Sequence, residues 1–354
     1  MTRTASKKLK TARPATAAMV ARHAGVSVTT VSFALNGHGD RYNIPAETVE
    51  RVRKAAEELA YVPNSLAKSL LSRSTKVIGV VFPHLRNDWA HRIMDGMYEL
   101  LESRDYVPHI VNHRGEPDRE AKELRSLAER RVDGILCNPL SGSAENYRRV
   151  IAQRIPLVFF GDTLQELPEV SYAAWDPEEV ALTVRHMVDV GCRRIAYLGF
   201  DDNRLMTGER YDVFCRTLAS AGLGCNEELF IRNQPGEPFD DALRAMFDPA
   251  RATSRRPDGI FALYDDSAMA AVETLEEIGV RVPDDVCVAT LGGSPMIGPR
   301  GYDLTATLAP VEAEGKAAVA ALLRILDDPP EEAIHTRVGG GRLRIGRTTR
   351  REKA

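Results

Sequence analysis

From Lys76 onward, short apolar runs alternate with amphipathic stretches. VIGVVF (77–82) has the length of a strand, and a helical pattern at 88–104 follows it. VPHIVN (107–112) precedes a second helical pattern at 117–131, and GILCN (134–138) and PLVFF (156–160) continue the series. A second series starts near Asp176 with a helix to Val190, then IAYLG (195–199) and a helix near 207–221. IFALY (260–264), a helix to Ile278 and VCVAT (286–290) complete it. Strands that are apolar throughout are buried on both faces, and strands joined by helices run parallel with right-handed crossovers. The two series predict an α/β fold with two doubly wound parallel-sheet subdomains.

The first sixty residues follow another period. In TAAMVARHAGVSVTTVSFALN (16–36), Val20, Ala21 and Ala24 recur at helical spacing, and Thr16 is placed to cap the first amides. Gly25 suits a chain leaving a helix with positive φ. Ser27 then caps a second helix, with Val31, Ala34 and Leu35 on or near one face. Two short helices about a glycine turn have the geometry of a helix-turn-helix. A third amphipathic helix follows Pro45, which suits a first helical turn, and its Val49, Val52, Ala56 and Leu59 close a small core.

Charge sharpens this division. The net charge of -3 conceals +8 over residues 1–76 and -11 over the rest. A basic end on an acidic body suggests that only the end meets a polyanion. A solvated tail is the plainer alternative for Arg3, Lys7, Lys8, Lys10 and Arg13. The length of 354 residues suits two or three cores, and 44% hydrophobic with 27% charged residues is ordinary for a globular chain. No apolar run approaches the roughly 20 residues of a membrane span, and no secretory signal follows the basic N-terminus. A cytoplasmic protein with no membrane association is expected. The five cysteines (Cys137, Cys192, Cys215, Cys225, Cys287) are scattered, odd in number and without a CxxC pair, so they read as reduced thiols and not as a zinc site.

The order A-x-x-A-G-V-S-x-x-T-V-S, then L-N, then Y-V-P-N-x-L-A-x-S-L runs from Ala21 to Leu70. It resembles the lac-repressor (LacI/GalR) family at its most diagnostic stretch. The phrases RRVDGI (130–135), GCRRIAYLG (191–199), RPDGIFAL (256–263), GVRVPDDV (279–286) and LTATLAPVEAEGKAAVAALL (304–323) extend the likeness to about residues 16–350. The resemblance implies a small all-α headpiece ahead of a type I periplasmic-binding-protein-like core. It divides the chain into a basic leader at 1–14, a headpiece at 15–62 and a hinge helix at 63–75. An effector-binding and dimerisation core at 76–348 and a tail at 349–354 complete it.

Helix N-terminal amides and short hydroxyls suit phosphate oxygens, so Ser27, Thr30, Ser32 and Asn36 would fix the register on a duplex. By resemblance, Val28, Thr29 and Phe33 would read the major groove. The family usually has Arg at the Phe33 position. Phe33 therefore has two readings: contact with a thymine methyl, or folding back onto the headpiece core. Met19 replaces a usual Asp, and the loop GHGDRYNI (37–44) is slightly longer than usual, with Arg41 on phosphate or in water. In the hinge, the resemblance implies that Leu70 wedges between central base steps, with Asn64 and Ala67 nearby.

Ligands of open α/β sheets bind beyond the strand carboxyl ends. Positions matching family pocket residues are Asn87, Trp89, Arg210, Tyr264 and Asp265. Trp89 offers a flat face for a sugar or base ring, and Arg210 can hold hydroxyls, a carboxylate or a phosphate. The sugar-binding pattern is broken where Gly292-Gly293 replaces a common aspartate pair, where Trp175-Asp176 replaces Asp-Asn, and where Tyr264 replaces asparagine. An effector of another class, or none, fits those departures.

The chemistry of enzymes is missing. No GxGxxG follows a strand, and no GxxxxGK[ST], GxSxG or HExxH occurs. The pairs Asp201-Asp202, Asp265-Asp266 and Asp284-Asp285 are adjacent, and neighbours in sequence do not face each other. The eight histidines lack metal-ligand spacing. No catalytic residue, metal or cofactor is expected. The expected protein is a regulator, most simply a repressor, that binds a palindromic double-stranded DNA operator as a homodimer under control of a small-molecule effector such as a sugar. A cytosolic α/β enzyme or a solute-binding protein with the same cleft is the rival.

Overall fold

The computed structural model describes residues 15–62, 74–85, 88–140, 142–200, 204–233, 238–250, 252, 255–292, 298–299 and 301–351. Asn64, Ala67, Leu70 and Asn87, singled out above, lie outside the described residues, as do Asp201, Asp202 and Gly293. The chain divides into two compact units, Met1–Thr75 and Lys76–Ala354.

The smaller unit holds three helices, α1 (Ala17–Ala24), α2 (Val28–Leu35) and α3 (Ala46–Glu58). Thr16 Oγ1 accepts from the Met19 amide at 3.4 Å, and Gly25 ends α1 at φ 66°. A Cβ on Gly25 would meet nothing within 4 Å, so glycine is required there by backbone conformation and not by space. Val20, Ala21, Ala24, Val31, Ala34, Val52, Ala55 and Ala56 form the core, flanked by Val49, Leu35 and Leu59. Pro45 precedes α3 as its cap residue with extended ψ of 139°, one step earlier than the first-turn position expected for it. The residue before a helix needs no N–H inside the ladder, so proline fits there too.

The larger unit holds two six-stranded sheets. The strands of the first are β1 (Val77–Phe82), β2 (Val107–Asn112), β3 (Gly134–Cys137), β4 (Leu157–Phe160), β5 (Ser171–Trp175) and β11 (His335–Val338). They lie in the order β11-β5-β4-β3-β1-β2, all parallel. The second contains β6 (Ile195–Phe200), β7 (Phe230–Asn233), β8 (Gly259–Ala262), β9 (Cys287–Gly292), β10 (Thr305–Leu308) and β12 (Arg342–Arg344). Its order is β12-β10-β9-β8-β6-β7, with only β12 antiparallel. The chain crosses between the sheets after β5, after β10 and between β11 and β12.

Connecting helices cover the sheets: α4 (Asp88–Glu102), α5 (Pro117–Glu129), α6 (Ala144–Ala152), α7 (Val180–Asp189), α8 (Leu205–Ser220), α9 (Asp240–Met246), α10 (Asp265–Glu277) and α11 (Val311–Asp327). The α4–α11 approach is set by two glycines. A Cβ on Gly96 would lie 2.0 Å from the Glu312 carbonyl oxygen, and one on Gly315 would lie 2.2 Å from that of Ile93. Strands β5 and β7 and helices α6 and α9 add to the elements expected from the sequence. SYAAW (171–175) is mostly small residues, yet every one of them is buried.

One expectation is corrected. Cys215 and Cys225 form a disulfide with Cα atoms 5.4 Å apart, so not all five cysteines are free thiols. Cys215 ends near the C-terminus of α8, and the turn at Gly222 brings Cys225 back alongside it, a proximity that scattered spacing does not reveal. Cys137, Cys192 and Cys287 are free and buried. Among the described residues, no helix is long and apolar enough to cross a membrane, and no group of His, Cys, Asp or Glu is placed to hold a metal.

Candidate DNA-binding and effector sites

In α2, Val31 and Ala34 point into the headpiece core, which leaves Val28, Thr29, Ser32, Phe33 and Asn36 toward the other side. Ser27 Oγ accepts from the Thr30 amide at 3.0 Å and lies 2.8 Å from Thr30 Oγ1. This fixes the helix N-terminus, whose remaining amides carry partial positive charge. Val28 is 49% exposed and Thr29 is exposed. Ser32 and Asn36 are partly occupied internally, because Asn36 Nδ2 donates to the Ser32 carbonyl at 2.8 Å and to its hydroxyl at 3.4 Å. Phe33 lies outside the buried headpiece core. It is half-buried and stacks on Tyr42, with ring centres 3.7 Å apart and planes 5° apart.

In the larger unit, the pocket candidates gather at the carboxyl ends of both sheets. Trp89, on the first turn of α4, stacks on Phe160 at 5.9 Å and meets Phe82 edge-on at 6.0 Å. Gly161 follows β4 at φ 79°, and a Cβ there would sit 3.0 Å from the Trp89 ring and 2.5 Å from Asn138 Nδ2. The next residue, Asp162, is buried. Its Oδ1 accepts from the Thr163 and Met206 amides at 2.8 Å, and its Oδ2 accepts from Thr207 Oγ1 at 3.0 Å. Arg204 Nε lies 3.9 Å from Oδ2. Trp89 and the charged groups around Arg210 therefore share the Gly161–Asp162 turn.

Arg210 is only 6% exposed, and its guanidinium stands 5.7 Å from the Trp175 ring centre. Trp175 in turn donates its indole N–H to Glu179, which also accepts from the Gly340 and Gly341 amides. Glu314, on α11, is buried, and its Oε1 has no hydrogen-bond partner among the described residues. Burial pushes the Glu314 carboxyl up to about 7, against the opposing pull of Arg210 and of the Gly161 and Trp175 amides. Burial also raises Asp162, against the pull of Arg204 and Arg210. Arg210 is thus a cation with two acids for neighbours, not a bare anion receptor.

On the second sheet, Tyr264 stacks on Phe200 at 5.6 Å. Asp265 opens α10, with Oδ1 accepting from the Asp266 amide at 3.0 Å. A Cβ on Gly292 would lie 2.8 Å from Asp265 Cβ and 2.9 Å from its Oδ2. A carboxylate therefore occupies the space beside β9 even though Gly292 carries none. Arg92, Asp162, Glu312 and Glu314 were not singled out from sequence. Arg92 forks onto Glu312 with two contacts of 2.8 Å, and its positive charge is further held by Asp88 and Asp265. The spacing of a lone Arg on α4 and a Glu on α11, 220 residues apart, holds no signal for that pairing.

A helix-turn-helix and a two-sheet body with an aromatic and charged cluster beyond its strand ends, carried on one chain, define a DNA-binding transcription regulator. The model of bacterial regulatory proteins, lacI family, matches residues 19–64, and a periplasmic-binding-protein-like domain matches 184–349. The chain belongs to the lacI family of bacterial regulatory proteins, and it is a regulator, not an enzyme. It is 30% identical over 329 residues to the HTH-type transcriptional repressor PurR of Vibrio parahaemolyticus serotype O3:K6 (strain RIMD 2210633), covering 88% of this chain and 92% of that one. A structure of the lac repressor dimer bound to operator and the anti-inducer ONPF superposes with a TM-score of 0.80 at 22% identity, covering 95% of this chain and 99% of that one. A complex of the transcriptional regulator CelR with cellobiose gives 0.68 at 24% identity, covering 94% and 99%.

Proposed function

We propose that this regulator acts in the cytoplasm as a homodimeric repressor on a palindromic operator and releases or grips it in response to a small uncharged ring compound. The observation that carries the reading is the exposed stripe of α2 beside its Ser27-capped N-terminus. A helix end of that form suits phosphate, and the stripe beyond it suits a major groove. Ser27, Thr30, Ser32 and Asn36 set the register, and Val28, Thr29 and Phe33 face bases. On sequence grounds, Asn64, Ala67 and Leu70 of the hinge join the DNA-contacting set.

Dimerisation is supported by the edge of the first sheet. Strand β2 pairs on one side only and exposes Val107 and Ile110, and neighbouring α4 exposes Tyr98. A two-fold partner seated there would cover apolar surface and an open strand edge together.

The effector reading rests on Trp89, Arg210, Tyr264 and Asp265, with Asn87 included on sequence grounds. Flat aromatic faces on both sheets favour a ring. Arg210 already has Asp162 and Glu314 as counter-charges, so a neutral ligand with hydroxyl groups fits better than an anion. A sugar meets that description, and the similar CelR binds cellobiose. Footprinting of genomic DNA with the purified full chain, repeated with neutral sugars and with anionic metabolites, tests the reading. Protected palindromes whose occupancy changes only with neutral ligands are expected. Absence of any protected site, or loss of none when residues 1–74 are deleted, sinks it.

A further inference from the structure

The headpiece carries two large rings that its core does not need. Phe33 lies outside the buried headpiece cluster, on the same side of α2 as Thr29 one turn earlier. Tyr42, its stacking partner, is 48% exposed. It belongs to a short 3-10 turn, Asp40–Tyr42, inside the lengthened loop 37–44. That turn is firmly built. The Tyr42 amide donates to the carbonyls of His38 and Gly39, and the Ile44 amide donates to that of Gly39 at 2.8 Å. The His38 amide donates to the Phe33 carbonyl at 2.9 Å, which ties the loop to the end of α2. Gly39 is buried against α3, where a Cβ would come within 3.0 Å of Val49 Cγ2. The Arg41 guanidinium lies 5.8 Å from the Tyr42 ring centre.

We infer that Phe33 and Tyr42 work as one recognition element, Phe33 resting on a thymine methyl of each half-site while the Tyr42 hydroxyl and Arg41 take the adjoining phosphate. The inference rests on the DNA-binding reading above and adds to it a residue and a loop outside α2. Stacking leaves Phe33 one covered face, so its side chain cannot swing away from the groove. An apolar edge discriminates thymine by its methyl group, the one apolar mark that a base pair shows in the major groove. A phenol O–H and a guanidinium are ordinary phosphate contacts, which position a reader without reading. Tyr42 therefore determines specificity indirectly, by holding Phe33, and affinity directly.

The test selects duplexes from a random pool with the full-length protein, then measures affinity by fluorescence anisotropy for Phe33→Ala, Tyr42→Ala, the double variant, Tyr42→Phe and Tyr42→Leu. Tyr42→Ala should weaken the selected duplex about tenfold, the cost of roughly one base-pair mismatch, with a much smaller effect on a scrambled one. It should relax the same base pair per half-site as Phe33→Ala, and the double variant should be no weaker than the worse single one. Tyr42→Phe should keep the base preference and lose only affinity. Tyr42→Leu keeps an apolar cover for folding but loses the flat ring, so it should also relax that base pair. Relaxation at different positions, equal losses on selected and scrambled duplexes, or a Tyr42→Leu variant with unchanged preference would overturn the inference while leaving DNA binding intact. If the wild type enriches no sequence, the DNA-binding reading itself fails, and this inference falls with it.

Discussion

The Arg210 guanidinium stands 5.7 Å from the centre of the Trp175 ring, and both residues are buried. Trp175 ends β5, the last strand before the chain first crosses to the second sheet, while Arg210 sits on α8, which packs with that second sheet. Their contact therefore spans the two halves of the sensor. Asp162 and Glu314, both buried on the first half, add two acids to it. A relative movement of the halves must carry one charge past the others, which makes this cluster a natural place for a ligand to bias the movement.

Replacing Arg210 tests that arrangement. Arg210→Met should lower unfolding stability by about 3 kcal/mol, because breaking a buried ionic cluster strands its partners. The loss should be partly recovered in Arg210→Met/Glu314→Gln, where one stranded acid is gone. Urea titrations near pH 7.5 measure both. A single variant as stable as the wild type would show that Arg210 has no structural share and only serves the ligand.

Two buried groups should make stability respond to pH in opposite senses. The Glu314 carboxyl is raised from 4.5 to about 7, so the stability that its protonated form supports is full below 4.5 and is lost as pH rises to about 7. His113 is lowered from 6.5 to about 4 by burial, so its neutral form supports stability above 6.5 that is lost as pH falls toward 4. Each contributes on the order of 3 kcal/mol at most by linkage, and between pH 4.5 and 6.5 the two arms oppose each other. Glu314→Gln removes one arm and should expose a steep acid loss below 6.5. His113→Gln should expose the opposite slope. Denaturant midpoints across that range decide, and a flat profile in both variants would refute the assignment of these two groups.

Much of the fold was legible because its signals are local. Gly25 and Ser27 declare a turn and a cap through their own conformations, and VIGVVF declares a buried strand through its own composition. Trp89, Arg210, Tyr264 and Asp265 were visible through the family resemblance, as positions matching its pocket residues. What was hidden depends on distant partners. Glu314 reads as one more charged position in VEAEGKAA, and only the packing of Gly315 against Ile93 shows that its side of α11 faces inward. Phe33 offered two readings from sequence, and its stack on Tyr42 was hidden because Tyr42 comes from a loop whose 3-10 turn has no periodic signature.

The α4–α11 seam should tolerate no side chain. Alanine in place of Gly96 gains about 1 kcal/mol in helix propensity. Against this stands a Cβ placed 2.0 Å from the Glu312 carbonyl oxygen, a backbone atom that cannot turn aside. Overpacking of that kind costs about 3 kcal/mol or more, so repulsion wins. Gly96→Ala should lower the melting temperature by several degrees, read by calorimetry. Because α4 carries Trp89 and Arg92, and α11 carries Glu312 and Glu314, ligand affinity should fall with it. An unchanged melting temperature would mean that the seam is looser than described.

Ser27 combines two roles that substitution can separate. Its hydroxyl caps α2 through the Thr30 amide, and removing a cap costs about 1 kcal/mol. In a unit whose α1 and α2 are eight residues long and whose core is mostly alanine and valine, that is a large share of the total. Ser27→Ala should therefore raise hydrogen exchange in α2 and weaken DNA binding together. Ser27→Asp keeps a capping oxygen and suits the helix dipole, so exchange should stay slow. Its negative charge would nevertheless face phosphate, and binding should fall further than with alanine, most of all at low salt. Ser27→Thr should preserve both properties. If the aspartate variant bound DNA as well as the wild type, the N-terminus of α2 would not be facing the backbone of a duplex.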